Sequence, residues 1–338
     1  MATSIWFYAG FTAFVLAMLA LDLGVFHRNA HVVRTKEAGT WVAIWIALSL
    51  LFAALLLFSK GADTALLFVT GYLIELSLSV DNIFVIVMIF SYFAIPGKYQ
   101  HRVLFWGILG ALVMRGVFIG MGSWLVQKIY LIMYIFGAFL IFTGVKMAVR
   151  QDEVFDAERN IVMRTARRFL RVTSAYDGPR FFTSEAGHRV ATPLFLVLLL
   201  VEFSDVVFAV DSIPAIFAVT TDPFLVYTSN VFAILGLRSM YFLLAGIVHR
   251  FVYLKYGLAV ILAFVGSKML VQKFLHIPIP ISLAVIALTL GVTIAASLWR
   301  PAPEKIVPTT KRKTGSIFGS VELPARQQET NPFRKDRQ

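Results

Sequence analysis

Blocks of apolar residues, each about 20 residues long, recur along the chain as far as residue 300. A helix of about 20 residues spans the roughly 30 Å hydrocarbon core of a bilayer. Only 15% of the 338 residues are charged, whereas roughly a quarter are charged in an average soluble protein. The chain is therefore predicted to be an all-α polytopic membrane protein, because helices satisfy their own backbone hydrogen bonds in lipid.

The apolar blocks predict nine transmembrane helices, near residues 5–25, 40–59, 65–92, 103–125, 129–149, 193–219, 225–248, 252–272 and 279–299. The first block has neither a basic segment before it nor a cleavage site after it, so a retained helix is predicted rather than a signal peptide. The sequence contains no cysteine, which excludes disulfides, thiolate metal sites and cysteine nucleophiles.

The Lys and Arg residues, which give the chain a net charge of +12, are distributed unevenly between the predicted connections. Of the 31, 24 lie in the connections on one side of the membrane or in the C-terminal tail, and three lie on the other side. The positive-inside rule then predicts an N-terminus outside the cell and a C-terminus in the cytoplasm. The charge indicates topology, and no nucleic-acid partner is needed to explain it.

Two segments, 65–149 and 193–272, resemble each other in sequence. Glu75-Leu-Ser-Leu-Ser-Val-Asp81-Asn82-Ile83 aligns with Asp205-Val-Val-Phe-Ala-Val-Asp211-Ser212-Ile213. Two shorter matches follow in the same order, Ile108-Leu-Gly110 with Ile234-Leu-Gly236 and the run from 142 to 147 with the run from 264 to 269. Each unit has three helices, so the second enters the membrane from the opposite face. This pattern predicts an inverted repeat with a binding site near the midplane.

The rest of the chain surrounds these two repeats. Residues 1–64 are predicted to form two N-terminal transmembrane helices, and residues 273–299 form the last one. The basic segment 150–192 is predicted to be a cytoplasmic loop that rests on anionic lipid headgroups, with at most a short amphipathic helix. The tail 300–338 is rich in Pro, Lys, Gln and Thr, and it is predicted to be disordered.

Ionisable side chains within a span are unfavourable in lipid and indicate a functional site. The first helix of each repeat carries several of them. The candidate metal ligands are Glu75, Asp81, Asn82, Glu202, Asp205, Asp211 and Ser212. An all-oxygen set without Cys or a neighbouring His favours Mg²⁺, Ca²⁺ or Mn²⁺ over Zn²⁺ or Cu²⁺. The composition of the site does not choose among these three ions.

Three further positions are predicted to support the site. Arg115 and Arg238 lie in mid-span and are each expected to neutralise one of the five deep carboxylates, which leaves about three for protons, water or a cation. Asp22, near the inner end of the first span, either caps toward the interface or supports the site.

On a straight helix, Glu75 and Asn82 share one face, and Asp205 and Ser212 share the equivalent face of the other helix. Asp81 and Asp211 lie off these faces. Pro214 removes a backbone hydrogen bond to Val210, so a break there is predicted to turn Asp211 inward. An ordinary kink is the alternative.

These motifs resemble the TerC family of integral membrane proteins, within the wider LysE-like transporter group. The matching residues are Glu75 to Asn82, Glu202 to Pro214, and Asp22-Leu-Gly-Val-Phe-His27-Arg28. The resemblance covers roughly residues 5–300 and is strongest to the Alx-like branch, which is linked to manganese efflux. It implies a bacterial inner-membrane exporter of Mn²⁺, with the acidic motif residues as the ion site. The sequence itself leaves open the direction of transport and the counter-ion, for which H⁺ and Na⁺ are the candidates.

Other functions fit the sequence less well. An intramembrane aspartyl protease would be expected to carry Tyr-Asp and Gly-x-Gly-Asp motifs, whereas Val precedes both Asp81 and Asp211 here. An assembly factor for other membrane proteins, to which plant relatives of the family are tied, leaves the buried carboxylates without a role. Export of a different cation stays open, as does the oligomeric state. No enzyme activity and no resident cofactor are expected.

Overall fold

The apolar blocks form helices in the computed structural model, which describes residues 5–21, 35–129, 131–149, 161–173, 175–185, 187–245, 253–275 and 277–299. Within these residues the protein has ten α-helices and one hairpin of two β-strands. Asp22 and the tail predicted to be disordered, 300–338, lie outside the described residues.

The helices before the basic segment are α1 (Ile5–Leu21), α2 (Thr35–Lys60), α3 (Ala62–Tyr92), α4 (Gly97–Lys128) and α5 (Leu131–Val149). The basic segment contains α6 (Ile161–Phe169), β1 (Phe182–Glu185) and β2 (His188–Ala191). The helices after it are α7 (Pro193–Phe217), α8 (Pro223–Leu244), α9 (Leu254–Val271) and α10 (Ile279–Trp299).

Seven of the described helices, α2 to α5, α7, α9 and α10, are long and apolar enough to cross a membrane. The predicted class, an all-α polytopic membrane protein, is thereby confirmed. Helices α1 and α8 lie where two further spans are predicted, but α1 has only 17 described residues, and α8 buries Asn230 and Arg238. Since α8 contacts α1, α2, α3 and α4, its polar residues face protein rather than lipid. The number nine stays a prediction.

The helices of the two predicted repeats pack against one another. Helix α3 contacts α7 and α8, helix α4 contacts the same two helices, and α5 contacts α9. Exchanging each helix for its counterpart, α3 for α7, α4 for α8 and α5 for α9, leaves this set of contacts unchanged. Such a set is expected of two repeats related by a pseudo-twofold axis, whereas the inversion itself stays a prediction.

Glycines allow α5 and α9 to approach closely. A Cβ atom added at Gly266 would lie 2.6 Å from the carbonyl oxygen of Gly137, and one added at Gly144 would lie 2.7 Å from that of Ala259. Gly144 and Gly266 are equivalent in the aligned motifs, and each contacts the residue seven positions before its counterpart. The two contacts are therefore related in the way that a pseudo-twofold axis requires.

Replacing Gly266 with Ala is expected to lower the stability of the protein by about 1–3 kcal/mol, because the added methyl group overlaps the backbone of α5. Thermal unfolding of the purified protein in detergent, followed by tryptophan fluorescence, measures the change. Gly120→Ala is the matched control, since nothing lies within 4 Å of a Cβ atom at that helical position. Equal melting temperatures for the two variants would contradict the close approach of α5 and α9.

The basic segment contains more structure than the predicted loop. Met163 and Ala166 of α6 are buried in a core cluster with residues of α7, whereas Ile161 and Phe169 are exposed. The antiparallel pairing of β1 with β2 ends in a tight turn in which Gly187 has a φ of 79°. The hairpin was not predicted, because strands of four residues carry too little periodicity to be recognised in a sequence.

A tyrosine connects the basic segment to the end of α3. The hydroxyl of Tyr176 donates a hydrogen bond to the carbonyl oxygen of Phe93 at 2.7 Å. Burial raises the pKa of Tyr176 to about 12, so the hydroxyl remains a donor to a higher pH than an ordinary tyrosine. The contact of this segment with lipid headgroups stays a prediction.

Candidate cation site

A buried arginine of α4 lies between the acidic residues of the two repeats. Arg115 Nη1 donates to Glu75 Oε2 of α3 at 2.6 Å, and Nη2 donates to Asp205 Oδ1 of α7 at 3.2 Å. Nη1 also lies 3.0 Å from Oδ1 of Asn230 on α8. The side chains of Arg115 and Glu75 are 3% and 1% exposed. One guanidinium group therefore joins four helices in the core.

Arg115 was predicted to neutralise one carboxylate, but it pairs with two, whereas the pairing predicted for Arg238 stays a prediction. Glu75 and Asp205 occupy equivalent positions in the aligned motifs, and Arg115 forms an ion pair with both. A guanidinium can do so because its five N–H groups point in fixed, different directions within one plane. Sequence spacing could not predict this, since Arg115 and Asp205 are 90 residues apart.

A small cavity lies beside this cluster and is called the aspartate cavity below. Its volume is about 30 Å³, and Arg115, Met147 and Leu262 form part of its wall. The remaining residues come from α3 and α7 as three pairs of equivalent positions, namely Leu78 and Phe208, Asp81 and Asp211, and Asn82 and Ser212. The two acidic motifs thus meet at one cavity.

Polar groups from two further positions define the surroundings of the aspartate cavity. Thr143 of α5 donates a hydrogen bond to Asp211 Oδ1 at 3.2 Å, and Lys146, one turn later, acts electrostatically on the same carboxylate. Asn82 is 4% exposed, and its Oδ1 has no hydrogen-bond partner among the described residues. A buried acceptor without a donor is unfavourable, so this oxygen is a position where water or a cation would be stabilising.

Pro214 does not break α7. The helix runs from Pro193 to Phe217 with Pro214 inside it, so the predicted break is absent. Proline removes one backbone donor, and burial of the surrounding turn among other helices holds the helical path. Asp81 and Asp211 reach the same cavity without an unwound segment, because α3 and α7 pack directly against each other.

Glu202 lies apart from the aspartate cavity. Its half-buried carboxylate rests on Gly110 of α4, where an added Cβ atom would overlap Oε1 of Glu202. A side chain at position 110 would therefore have to displace the flexible end of Glu202 from its present place. Arg238, which is 4% exposed, lines a different cavity together with Asn82 and Asp205.

Within the described part of the chain, no group of three His, Cys, Asp or Glu side chains is placed to hold a metal ion. The seven predicted ligands lie in three places: Glu75 and Asp205 on Arg115, Glu202 on Gly110, and Asp81, Asn82, Asp211 and Ser212 around the aspartate cavity. A site formed by all seven stays a prediction. The geometry favours the last group of four.

Two residues near the site were missed by the sequence analysis. Asn230 is a polar residue in the middle of α8 that is 0% exposed, and its position within a span was an available signal. Thr143 belongs to one of the aligned motifs, but the second repeat has Val265 there, so the comparison of the repeats gave it no weight.

Comparisons with known proteins agree with this description. Residues 60–305 match the family described as integral membrane protein TerC family. The chain is 57% identical over 291 residues to an uncharacterized membrane protein of Myxococcus xanthus, and the alignment covers 86% of this chain and 91% of that one. It is 54% identical over 301 residues to a candidate membrane-bound redox modulator, Alx, of Escherichia coli (strain K12), with coverage of 86% and 94%. No solved structure shows a significant match. The family match includes both acidic motifs and most of the chain, so the protein belongs to the TerC family of integral membrane proteins.

Proposed function

We propose that this protein exports a divalent metal cation, with Mn²⁺ as its main cargo, across the bacterial inner membrane. The ion binds in the aspartate cavity, where Asp81 and Asp211 supply carboxylates, Asn82 an amide oxygen and Ser212 a hydroxyl. The observation that carries the proposal is the meeting of two equivalent acidic motifs at one cavity among apolar helices. The proposal includes neither an enzyme activity nor a resident cofactor.

The chemistry of the cavity supports a divalent ion of this type. Two carboxylates supply negative charge for a cation, and oxygen ligands favour Mg²⁺, Ca²⁺ or Mn²⁺ over softer metals. A cavity of about 30 Å³ holds roughly one water-sized body, so the ion must enter without most of its hydration shell. Mg²⁺ loses its water reluctantly and demands near-ideal octahedral geometry, which favours Mn²⁺ over Mg²⁺.

The ion pairs of Arg115 support a division of roles among the acidic residues. Glu75 and Asp205 share the guanidinium group and hold α3, α4 and α7 together. Charges compensated in this way are structural in the proposal, and Asp81 and Asp211 provide the charges that bind the transported ion.

Transport follows from the relation between the repeats. Several contacts among α3, α4, α5, α7, α8 and α9 stay the same when each helix is exchanged for its counterpart, which supports a pseudo-twofold axis. If the repeats are inverted, two equivalent conformations expose the aspartate cavity to opposite sides of the membrane in turn. The distribution of Lys and Arg supports an N-terminus outside the cell and a C-terminus in the cytoplasm. H⁺ or Na⁺ moves in the opposite direction as the counter-ion.

The name of the Escherichia coli relative includes a redox role. We do not favour a redox reaction of this chain's own side chains. The sequence contains no cysteine, so its own side chains provide no thiol–disulfide exchange. A role in assembling other membrane proteins would leave the orphaned Oδ1 of Asn82 and the paired aspartates without a purpose. Ion transport accounts for both features.

Transport in vesicles tests this proposal. Purified protein in liposomes that contain a manganese-sensitive dye is expected to admit Mn²⁺ faster than liposomes without protein, and excess Mg²⁺ should compete only weakly. Entry of Mn²⁺ should be accompanied by movement of H⁺ or Na⁺ in the opposite direction. A second dye in the same vesicles measures the change in pH or in Na⁺ concentration. A Mn²⁺ flux equal to that of empty liposomes, with correctly folded protein present, would exclude the proposal.

A further inference from the structure

Two small cavities in the helical bundle share part of their lining. The first is the aspartate cavity, and the second has a volume of about 20 Å³. Ser204, Asp205 and Arg238 line only the second of these, which is called the Ser204 cavity below. Asn82 and Phe208 line both. The boundary between the cavities is therefore formed by one amide side chain and one aromatic ring.

Phe208 occupies a defined position between the two acidic residues of its helix. It follows Asp205 by three residues and precedes Asp211 by three, which is close to one helical turn in each direction. Asp205 lines the Ser204 cavity, and Asp211 lines the aspartate cavity. Phe208 thus lies between Asp205 and Asp211 along the helix, and it also lines both the Ser204 cavity and the aspartate cavity.

The size of the cavities makes this separation effective. Each one holds roughly one water-sized body, whereas a divalent cation in water is surrounded by about six or more oxygen ligands. An ion cannot pass from one cavity to the other with its hydration shell while the ring stays in place. Movement of a large apolar side chain is therefore a condition for passage.

The other repeat has an apolar residue at the equivalent position. Leu78 lies between Glu75 and Asp81 as Phe208 lies between Asp205 and Asp211, and Leu78 also lines the aspartate cavity. Leu78 and Phe208 thus contribute one apolar side chain from the first helix of each repeat, at equivalent positions of the aligned motifs.

We propose that Phe208 is the gate between the aspartate cavity and the Ser204 cavity, and that its ring closes the ion site toward one side of the membrane. The inference rests on the proposed function for the identity of the passing ion. The gate itself is a property of the walls, and it can be tested without any metal.

The absence of cysteine from the chain allows a direct test. Single reporters Ser204→Cys and Met147→Cys place one thiol in each cavity, and a small membrane-impermeant thiol reagent is added to either side of protein-containing vesicles. With Phe208 present, the side that labels Ser204→Cys should label Met147→Cys slowly. Adding Phe208→Ala should accelerate labelling of Met147→Cys from that side by about tenfold or more, because the removed ring leaves space for water and reagent.

Phe203→Ala is the matched control, since Phe203 lies on the same helix, is 39% exposed and lines neither cavity. It should leave both labelling rates unchanged. Phe208→Leu copies the residue of the other repeat and should keep the slow rate. If Phe208→Ala does not fold, as judged by gel filtration, Phe208→Val provides the same comparison with a smaller truncation.

Three results would overturn the gate: an unchanged rate for Met147→Cys after truncation of Phe208, an equal acceleration by Phe203→Ala, or equal rates for both reporters while Phe208 is present. These results are independent of manganese transport. If the labelling is as expected but Mn²⁺ flux is absent, the proposed function is excluded and the gate is retained. If Mn²⁺ flux is present but the labelling differs from expectation, the gate is excluded and the proposed function is retained.

Discussion

Replacing either Asp81 or Asp211 with Asn is expected to reduce manganese transport by about 30-fold or more, since loss of one charge from a buried ion contact is worth about 2 kcal/mol or more. Asparagine keeps the size of the side chain and much of its hydrogen bonding. The amount of protein in the membrane should hold, because the change removes a buried charge rather than exposing one. Cells that depend on this protein should become sensitive to manganese and retain it.

The control for this experiment is Asp63→Asn, which makes the same substitution in α3, the helix of Asp81, at an exposed position in its first turn. It should transport manganese at the rate of the unmodified protein. Transport is measured as dye-reported Mn²⁺ flux in vesicles and as cellular manganese content. Normal export by both Asp81→Asn and Asp211→Asn would show that the aspartate cavity is not the ion site.

Replacing Arg115 with Gln is expected to destabilise the protein by about 3–5 kcal/mol, because it leaves the carboxylates of Glu75 and Asp205 buried without their cation. The variant should accumulate poorly in the membrane and unfold at a lower temperature. The effect should be among the largest of any single substitution, since one side chain holds groups from three other helices.

A surface ion pair provides the control for Arg115. Arg180 contacts Asp177 at 3.3 Å with side chains that are 70% and 40% exposed, and Arg180→Gln should change stability by about 1 kcal/mol or less. Combining Arg115→Gln with Glu75→Gln and Asp205→Asn removes all three charges and should restore part of the lost stability. Similar melting temperatures for Arg115→Gln and Arg180→Gln would show that the buried ion pairs do not hold the bundle together.

The membrane class and the positions of the helices could be read from the sequence because hydrocarbon imposes strict conditions. Each span needs about 20 apolar residues, and its backbone must be paired within the helix. Each predicted span therefore overlaps a described helix, including α3 and α7, which carry the acidic motifs, and seven of these helices are long and apolar enough to cross a membrane. The hairpin at 182–191 escaped prediction because water outside the membrane imposes no comparable condition on short segments.

The candidate site was predicted only in part. Polar residues within spans are conspicuous, so Asp81, Asn82, Asp211 and Ser212 were recognised from their sequence context alone. Which of them meet depends on how α3 and α7 pack, and the expectation that Pro214 must unwind α7 came from considering that helix in isolation. The position of Glu202 could not be predicted either, because its carboxylate packs against Gly110, which belongs to another helix.

By itself, the sequence determined that this chain crosses a membrane several times, that two of its segments resemble each other, and that both segments carry acidic groups at aligned positions. These properties follow from composition and spacing along one chain. Only the tertiary structure decided that Arg115 compensates both Glu75 and Asp205, and that Asp81 and Asp211 share a cavity bounded by Phe208. Charge compensation and cavity shape depend on distances of a few ångströms between helices, and no pattern within a single helix contains those distances.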